Sequence, residues 1–270
     1  MSSRFGVLGS PIGHSLSPNL HRAVIERLGV DAVYERFDVT EESFPSFLEE
    51  HSGWEGFSLT MPLKHTARGY VASECTVSSL AGAINTIVRR PEGWIGFNTD
   101  VWGAQQALTH NLEAQSDSVV LLGAGATARS MLVALNGLGV RSFTVMVRDV
   151  TRVEDLMATA SLLDIKPVVE TIGTSVTADL LVNTLPGTVL LDDEAIEAID
   201  TAALFDVVYD PWPTRLASEW SARGLPVVSG KWMLVWQALR QARIFYGDDA
   251  DDELPDEAII LTSMRASVGL

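Results

Sequence analysis

Residues 119–128 read Val-Val-Leu-Leu-Gly-Ala-Gly-Ala-Thr-Ala, and this stretch decides the fold. The apolar run is typical of a buried strand, and apolar residues at helical spacing follow over 126–139. The pattern matches G-x-G-x-x-G/A, in which Gly123 permits a tight turn and Gly125 lets the backbone approach a pyrophosphate. We therefore predict a dinucleotide-binding βαβ unit. Its cofactor contacts are expected at Gly123, Ala124, Gly125, Ala126, Thr127 and Ala128.

The residues after the next predicted strand bear on which dinucleotide binds. NAD-binding units usually place an acid at the end of that strand, where it contacts the ribose hydroxyls. Here Val147 is the last strand residue, and Arg148 and Arg152 follow it. A guanidinium suits a 2′-phosphate, so the sequence favours NADP. Asp149 leaves NAD possible, because its charge could repel a phosphate, although it could also cap the next helix.

Elsewhere, short β-branched runs alternate with helix-length segments, which is typical of a parallel α/β architecture. The predicted strands are 5–8, 33–39, 56–61, 84–88, 94–97, 118–122, 142–147, 168–172, 180–182, 203–208 and 226–228. A second long helix is predicted over 232–246, and the polar passage 101–117 is interpreted as the first crossing between two α/β lobes.

The crossing and a return near residue 230 predict the domain organisation. We expect a substrate-binding and catalytic lobe of residues 1–100, completed by C-terminal helices in 231–270. Residues 101–230 are expected to form a Rossmann-type lobe that binds the dinucleotide. Ligands would then lie in a cleft between the two lobes.

Composition narrows the class of protein. A chain of 270 residues with 47% apolar and 20% charged residues predicts an ordered globular protein. Cys75 is the single cysteine, which excludes a disulfide scaffold and favours a reducing, cytoplasmic location. No apolar run reaches the roughly 18 residues that span a bilayer. We expect a cytoplasmic monomer or homodimer with a small-molecule substrate.

Charge also limits the partners. The chain has 35 acidic and 19 basic residues and a formal net charge of −16, which argues against nucleic acid or an anionic membrane. Residues 248–257 hold seven of the acids and no base. A solvated loop is the favoured interpretation of this stretch, and an acidic interaction tail is the alternative.

Four segments of the first lobe combine glycine with hydroxyl, amide and charged groups that a core does not require. They are residues 9–18, 56–64, 82–86 and 96–100. Their neutral hydrogen-bonding candidates are Ser15, Ser17, Thr60 and Asn85, and their charged candidates are Lys64 and Asp100. The five histidines are scattered without an H-x-x-x-H pair, so no metal site is predicted.

These segments, in this order, resemble the shikimate dehydrogenase family, whose members reduce 3-dehydroshikimate in aromatic amino-acid biosynthesis. The resemblance continues through the glycine turn, Asn183-Thr184, residues 206–211 and residues 230–234, and it covers nearly the whole chain. It implies that Lys64 and Asp100 form the catalytic pair. For ketone reduction Lys64 is the leading proton donor, either transferring the proton or polarising the ketone oxygen. The substrate contacts implied are Ser15, Ser17, Thr60, Asn85, Asp100, Gln237 and, from the second lobe, Tyr209. The cofactor contacts implied are the glycine turn, Arg148 to Arg152, Val207 and Gly230.

The sequence departs from that family at three positions. Ser58 stands where many members have asparagine, which could alter hydroxyl recognition. Ala126 replaces a frequent glycine and Asp149 a frequent threonine, and both could retune cofactor binding. The leading hypothesis is an NADP-dependent shikimate dehydrogenase. The alternatives are an NAD-dependent quinate/shikimate dehydrogenase and a non-catalytic homologue that senses the ligand.

Overall fold

The computed structural model describes residues 2–113, 116–247 and 249–270. The chain divides into two compact units, each built around its own six-stranded sheet. The first unit consists of the chain up to Gly103 together with Val235–Leu270, and the second is Ala104–Leu234. The predicted α/β class with two lobes is confirmed.

The first unit contains a mixed sheet with the strand order β2-β1-β3-β5-β6-β4. Its strands are β1 (Ser3–Gly9), β2 (Ala32–Asp38), β3 (Gly56–Leu59), β4 (Ser73–Glu74), β5 (Thr86–Arg90) and β6 (Gly93–Phe97). Its helices are α1 (Ser17–Leu28), α2 (Phe44–Glu50), α3 (Leu63–Thr66), α4 (Thr76–Ala81), α10 (Gly230–Tyr246, from Val235 on) and α11 (Glu257–Ser267), with the start of α5 (Asp100–Asn111) and a 3₁₀ turn at Ala67–Tyr70.

The parallel sheet expected throughout is wrong for this unit, because β5 runs antiparallel to both β3 and β6. Only two residues separate β5 from β6, and so short a connection can join antiparallel strands but not parallel ones. The strand β4 was not predicted, since two residues show no periodicity.

This register gathers the polar segments at one edge of the sheet. Strands β1 and β3 are parallel, with Leu8 opposite Leu59, so both end at that edge. Thr86 at the start of β5 lies opposite Ser58 near the end of β3 and opposite Phe97 at the end of β6. The loops after β1, β3 and β6 therefore meet the residue that precedes β5.

The second unit contains an all-parallel sheet with the order β12-β11-β10-β7-β8-β9. Its strands are β7 (Ser118–Leu122), β8 (Ser142–Val147), β9 (Val168–Thr171), β10 (Val176–Asn183), β11 (Ile199–Asp206) and β12 (Val227–Ser229). Its helices are α6 (Ala126–Gly137), α7 (Glu154–Leu162), α8 (Asp193–Glu197) and α9 (Arg215–Ala222), with the rest of α5 and the first turn of α10. This is a doubly wound sheet whose order reverses between β7 and β10, where such folds bind ligands.

The described part of the acidic stretch, residues 249–257, folds back on α10. Arg243 forms a bidentate pair with Glu257 at 2.8 and 2.5 Å, and Arg240 pairs with Asp251. Both guanidinium groups lie over the ring of Trp102, that of Arg240 5.3 Å and that of Arg243 5.1 Å from the ring centre. Asp248 lies outside the described residues. The stretch is thus held by arginines rather than extended as a tail.

No helix within the three described ranges is long and apolar enough to cross a membrane. Those ranges also contain no group of three or more His, Cys, Asp or Glu side chains arranged to hold a metal ion. Cys75 instead caps α4, where its Sγ accepts the amide hydrogen of Ser78 at 3.4 Å.

Candidate functional site

Lys64 and Asp100 form an ion pair in the first unit. Lys64 lies in the short helix α3 just after β3, and Asp100 is the first residue of α5, just after β6. The Lys64 Nζ lies 2.6 Å from Asp100 Oδ2, and the two side chains are 16% and 6% exposed. The pair is therefore shielded from solvent while the ammonium keeps some access to it.

Two amide side chains lie beside this ion pair, and one of them donates to the second oxygen of Asp100. Asn85 Nδ2 donates to Asp100 Oδ1 at 2.9 Å and to Thr99 Oγ1 at 2.8 Å. Gln237 Oε1 lies 3.5 Å from Asn85 Nδ2 and 3.4 Å from Thr99 Oγ1. Four of the predicted site residues, Lys64, Asp100, Asn85 and Gln237, are thus brought into one cluster.

The three predicted hydroxyl residues follow β1 or β3 at the same sheet edge, Ser15 and Thr60 on loops and Ser17 at the start of α1. Ser15 Oγ accepts the backbone amide hydrogen of Ser17 at 3.3 Å, and Ser17 begins α1. Thr60 follows β3, and its amide donates to Leu8 at 2.9 Å. Ser17 is buried and Ser15 and Thr60 are half-buried, so the latter two keep accessible surface.

The glycine turn leaves the start of α6 uncapped and unobstructed. Gly123 adopts φ +98°, and a Cβ there would lie 2.8 Å from Thr184 Oγ1. Gly125 precedes α6 without a side-chain cap, and a Cβ there would meet nothing within 4 Å. The first amides of α6 and the positive end of its dipole therefore face open space. Ala128 is fully buried, as close helix packing requires.

The segment after β8 places Asp149 in a local turn. Its carboxylate accepts hydrogen bonds from the Thr151 hydroxyl at 2.6 Å and the Thr151 amide at 3.0 Å. The hydrogen bond from the hydroxyl, and to a smaller extent the one from the amide, lowers the pKa of the exposed Asp149 carboxyl. Asp149 does not cap α7, which begins after Val153 without a side-chain cap. Arg148 and Arg152 are exposed beside it.

Asp206 holds the loop that carries Val207 and Tyr209. Its Oδ1 accepts from Asn183 Nδ2 at 2.9 Å and from the Val208 amide at 3.1 Å. Its Oδ2 accepts from the Thr214 hydroxyl at 2.6 Å, and Thr214 caps α9. One fully buried carboxylate thereby fixes both ends of the loop, and burial raises its pKa.

Two predicted residues lie on or beside that loop. A Cβ on Gly230 would lie 2.1 Å from the carbonyl oxygen of Val207, so the two backbones touch and only glycine fits. Tyr209 is half-buried, and its burial, with a smaller effect of Asp210, raises the pKa of its hydroxyl.

Sequence reasoning missed a second buried amide, Gln241. Its Nε2 donates to Thr86 Oγ1 at 2.9 Å and to the Asn85 carbonyl at 3.2 Å, and its Oε1 accepts from Ser58 at 2.8 Å. Ser58 thus faces a buried polar network. Gln241 lies four residues after Gln237, so both project from the same face of α10, and that spacing was the available signal.

Comparison with known proteins accounts for this arrangement of segments. A family profile described as the shikimate dehydrogenase substrate binding domain matches residues 7–87. A relative from Methanosarcina barkeri, named shikimate dehydrogenase (NADP(+)), is 34% identical, with 96% of this chain and 98% of the relative aligned. The chain belongs to the shikimate dehydrogenase family. A relative of the same name from Thermosynechococcus vestitus is 31% identical over 98% of this chain and 95% of its own.

Solved structures of the shikimate dehydrogenase family share the fold over nearly the whole chain. The Mycobacterium tuberculosis enzyme has a TM-score of 0.84 and 33% identity, covering 98% of this chain and 99% of its own. A Thermus thermophilus enzyme, solved with NADP(H) and shikimate, has a TM-score of 0.82 and 31% identity with the same coverage. The resemblance inferred from the motifs is confirmed.

Proposed function

We propose that this chain catalyses the reversible NADPH-dependent reduction of 3-dehydroshikimate to shikimate. The observation that carries the proposal is the Lys64–Asp100 ion pair, shielded and bordered by the amides of Asn85 and Gln237. A core does not need such a set of groups, whereas reduction of a ketone on a polyhydroxylated acid needs a proton source and matching hydrogen-bond partners.

In the proposed mechanism Lys64 is the catalytic acid. The reduced nicotinamide, when bound, supplies the hydride that reaches the carbonyl carbon. As the C=O bond becomes a C–O single bond, the Lys64 ammonium donates a proton to the oxygen or polarises it. Asp100 holds the ammonium by the bond from Nζ to Oδ2 and is itself oriented by Asn85. In the reverse direction, the neutral Lys64 amine accepts the hydroxyl proton while the hydride of the carbinol C–H bond passes to the oxidised cofactor.

The substrate contacts are assigned to polar side chains of the first unit. Ser15, Ser17 and Thr60 would bind the carboxylate or ring hydroxyls together with Asn85 and Gln237. Such groups reject a ligand without matching hydroxyls, at about 1–3 kcal/mol for each lost bond. Tyr209 joins this set on the family resemblance.

The cofactor contacts are assigned to the second unit, whose glycine turn fits a dinucleotide. The turn from Gly123 to Ala128 would bind the pyrophosphate, with Arg148 and Arg152 near a 2′-phosphate. Val207 and Gly230 would line the nicotinamide side.

We further propose that the reaction serves chorismate and aromatic amino-acid biosynthesis in the cytoplasm. A monomer or homodimer, and the absence of a nucleic-acid partner, remain parts of this proposal. NAD use is the second candidate, and one observation favours it: the anionic Asp149 lies within the segment assigned to the 2′-phosphate.

A crossed spectrophotometric assay tests the proposal. Shikimate and quinate are each oxidised with NADP and with NAD, and absorbance of the reduced cofactor is followed. We expect the highest kcat/KM for shikimate with NADP. A clear preference for NAD supports the quinate/shikimate alternative, and binding of shikimate without turnover in any pairing refutes catalysis.

A further inference from the structure

We infer that Gln241 is a positioning residue that orients Asn85, and through it the Lys64–Asp100 pair. The inference rests on the proposed function, and it assigns a role to a side chain outside the set that would touch the substrate. Gln241 is 2% exposed and contacts three segments of the first unit.

The hydrogen bonds form one directed chain through this residue. Ser58 donates to Gln241 Oε1, and Gln241 Nε2 donates to Thr86 Oγ1. Thr86 Oγ1 donates to Asn85 Oδ1 at 2.9 Å, and Asn85 Nδ2 donates to Asp100 Oδ1. The second oxygen of Asp100 accepts from Lys64. Every link therefore points toward the catalytic carboxylate.

Backbone groups that can only donate or only accept fix the direction of this chain of hydrogen bonds. The Thr99 amide can only donate, and it lies 2.8 Å from Asn85 Oδ1, so the oxygen of Asn85 must face it. The nitrogen of Asn85 then faces the carboxylate. The Asn85 carbonyl can only accept, and it lies 3.2 Å from Gln241 Nε2, so the nitrogen of Gln241 must face β5.

The stacked rings of His21 and Tyr34 lie next to the Oε1 end of Gln241. His21 Nε2 lies 3.3 Å from Gln241 Oε1, and the His21 ring stacks on Tyr34 at 4.0 Å and 4°. Tyr34 donates to Ser58 at 2.7 Å. Burial lowers the pKa of His21 to about 3, so a neutral imidazole donates its Nε2 hydrogen to Gln241. His21 Nδ1, buried without a hydrogen-bond partner among the described residues, is then the unprotonated nitrogen.

Loss of the Gln241 amide removes one of the restraints on Asn85. The Asn85 carbonyl loses its donor from α10, and the Thr86 hydroxyl is free to turn away from Asn85 Oδ1. The Asn85 amide can then rotate and weaken its bond to Asp100. A misplacement of about 1 Å at a reacting group can cost up to about a hundredfold in rate.

Gln241→Met tests the inference, because methionine keeps the volume and removes both hydrogen-bonding groups. We expect kcat for shikimate oxidation to fall about tenfold or more, with a smaller change in KM. Affinity for 2′,5′-ADP, which reports the cofactor site of the second unit, should not change. Gln105→Met is the matched control: Gln105 donates to the Ala134 carbonyl at 3.3 Å in the second unit, and its loss should leave kcat unchanged.

A rescue variant separates positioning from general damage. Ser58 and Thr86 are cross-strand partners, so an asparagine at 58 can accept from Tyr34 and donate to the Thr86 hydroxyl in place of Gln241. The double variant Ser58→Asn/Gln241→Ala should therefore recover kcat to within about threefold of the wild type, whereas Gln241→Ala alone should not.

The outcomes distinguish this inference from the proposed function. Full activity of Gln241→Met beside an active wild type overturns the positioning role and leaves the proposed function intact. If that variant does not fold, Thr86→Val decides, because valine keeps the shape and cannot donate to Asn85. A fall in kcat of about tenfold or more supports the inference, and activity within twofold of the wild type overturns it. Failure of the double variant to regain kcat, with 2′,5′-ADP affinity intact, also overturns it.

Discussion

Asp206→Ala should destabilise the second unit strongly, because three donors depend on this one buried carboxylate. The Asn183 amide, the Val208 backbone N–H and the Thr214 hydroxyl all lose their acceptor. A buried donor left unpaired costs about 1–3 kcal/mol. Val208 is half-buried and the Thr214 hydroxyl can turn, so we expect a loss of about 3 kcal/mol rather than the full sum. Domains commonly have about 5–15 kcal/mol of stability in total.

Asp206→Asn is the matched control for this prediction. Its oxygen can accept from Asn183 and Val208 while its nitrogen donates to Thr214 Oγ1. The cost should then be within about 1 kcal/mol. Urea unfolding followed by tryptophan fluorescence measures both variants, with Trp220 buried in this unit as one reporter. Equal stability of Asp206→Ala and the wild type would refute the argument that the carboxylate fixes the loop.

The difference in unfolding free energy between the wild type and Asp206→Asn should depend on pH. Burial raises the pKa of Asp206 in the folded state above its ordinary value of 3.8, so the folded protein takes up this proton more readily than the unfolded chain. The resulting stabilisation is fully present below pH 3.8 and is lost as pH rises through the folded-state pKa. The wild type should therefore gain stability relative to Asp206→Asn between pH 7 and pH 4, and a constant difference would contradict this.

Three further substitutions test the assigned roles. Lys64→Met should lower kcat by about 10²–10⁴ while leaving 2′,5′-ADP affinity unchanged; steady-state kinetics and titration decide, and unchanged turnover removes Lys64 from the chemistry. Gly230→Ala should destabilise the protein by about 1–3 kcal/mol or more in urea unfolding, because its Cβ would lie 2.1 Å from the Val207 oxygen. Asp149→Asn keeps the turn with Thr151 but removes the charge, so 2′,5′-ADP should bind several-fold more tightly in low salt while 5′-AMP does not; equal changes for both would argue against charge repulsion.

The second unit was the more predictable half of the fold. The apolar strand at 118–122 and the small residues after it form a local pattern that a parallel sheet requires, and β7 and α6 begin where that pattern places them. The first unit departs from expectation because strand direction depends on the connection. The short turn between Arg90 and Gly93 reverses the chain, so β5 begins at the sheet edge where β3 and β6 end. Asn85, which precedes β5, therefore lies at the same edge as the residues that follow those two strands.

The sequence likewise predicted some residues of the candidate site and not others. Lys64 and Asp100 could be singled out because a charged residue in a glycine- and hydroxyl-rich segment has no packing purpose. The four-residue spacing from Gln237 could place Gln241 on the same helix face, but it could not predict the role of Gln241. That role depends on Ser58 and Thr86 meeting across two strands, a long-range pairing absent from any single segment. Asp206 lies in the family segment 206–211, yet its structural role needs Thr214 from the far end of a loop.

The first unit is built from two distant stretches of chain, and this imposes an order on its biosynthesis. Gln237 and Gln241 come from the stretch after Leu234, so every residue of the second unit is translated before they appear. At about 5–20 residues per second, the emerging N-terminal stretch waits on the order of ten seconds for α10 and α11. During that interval α1 lacks the helix α11 that packs on it, so the nascent chain leaves one face of α1 exposed to chaperones until α11 has been translated.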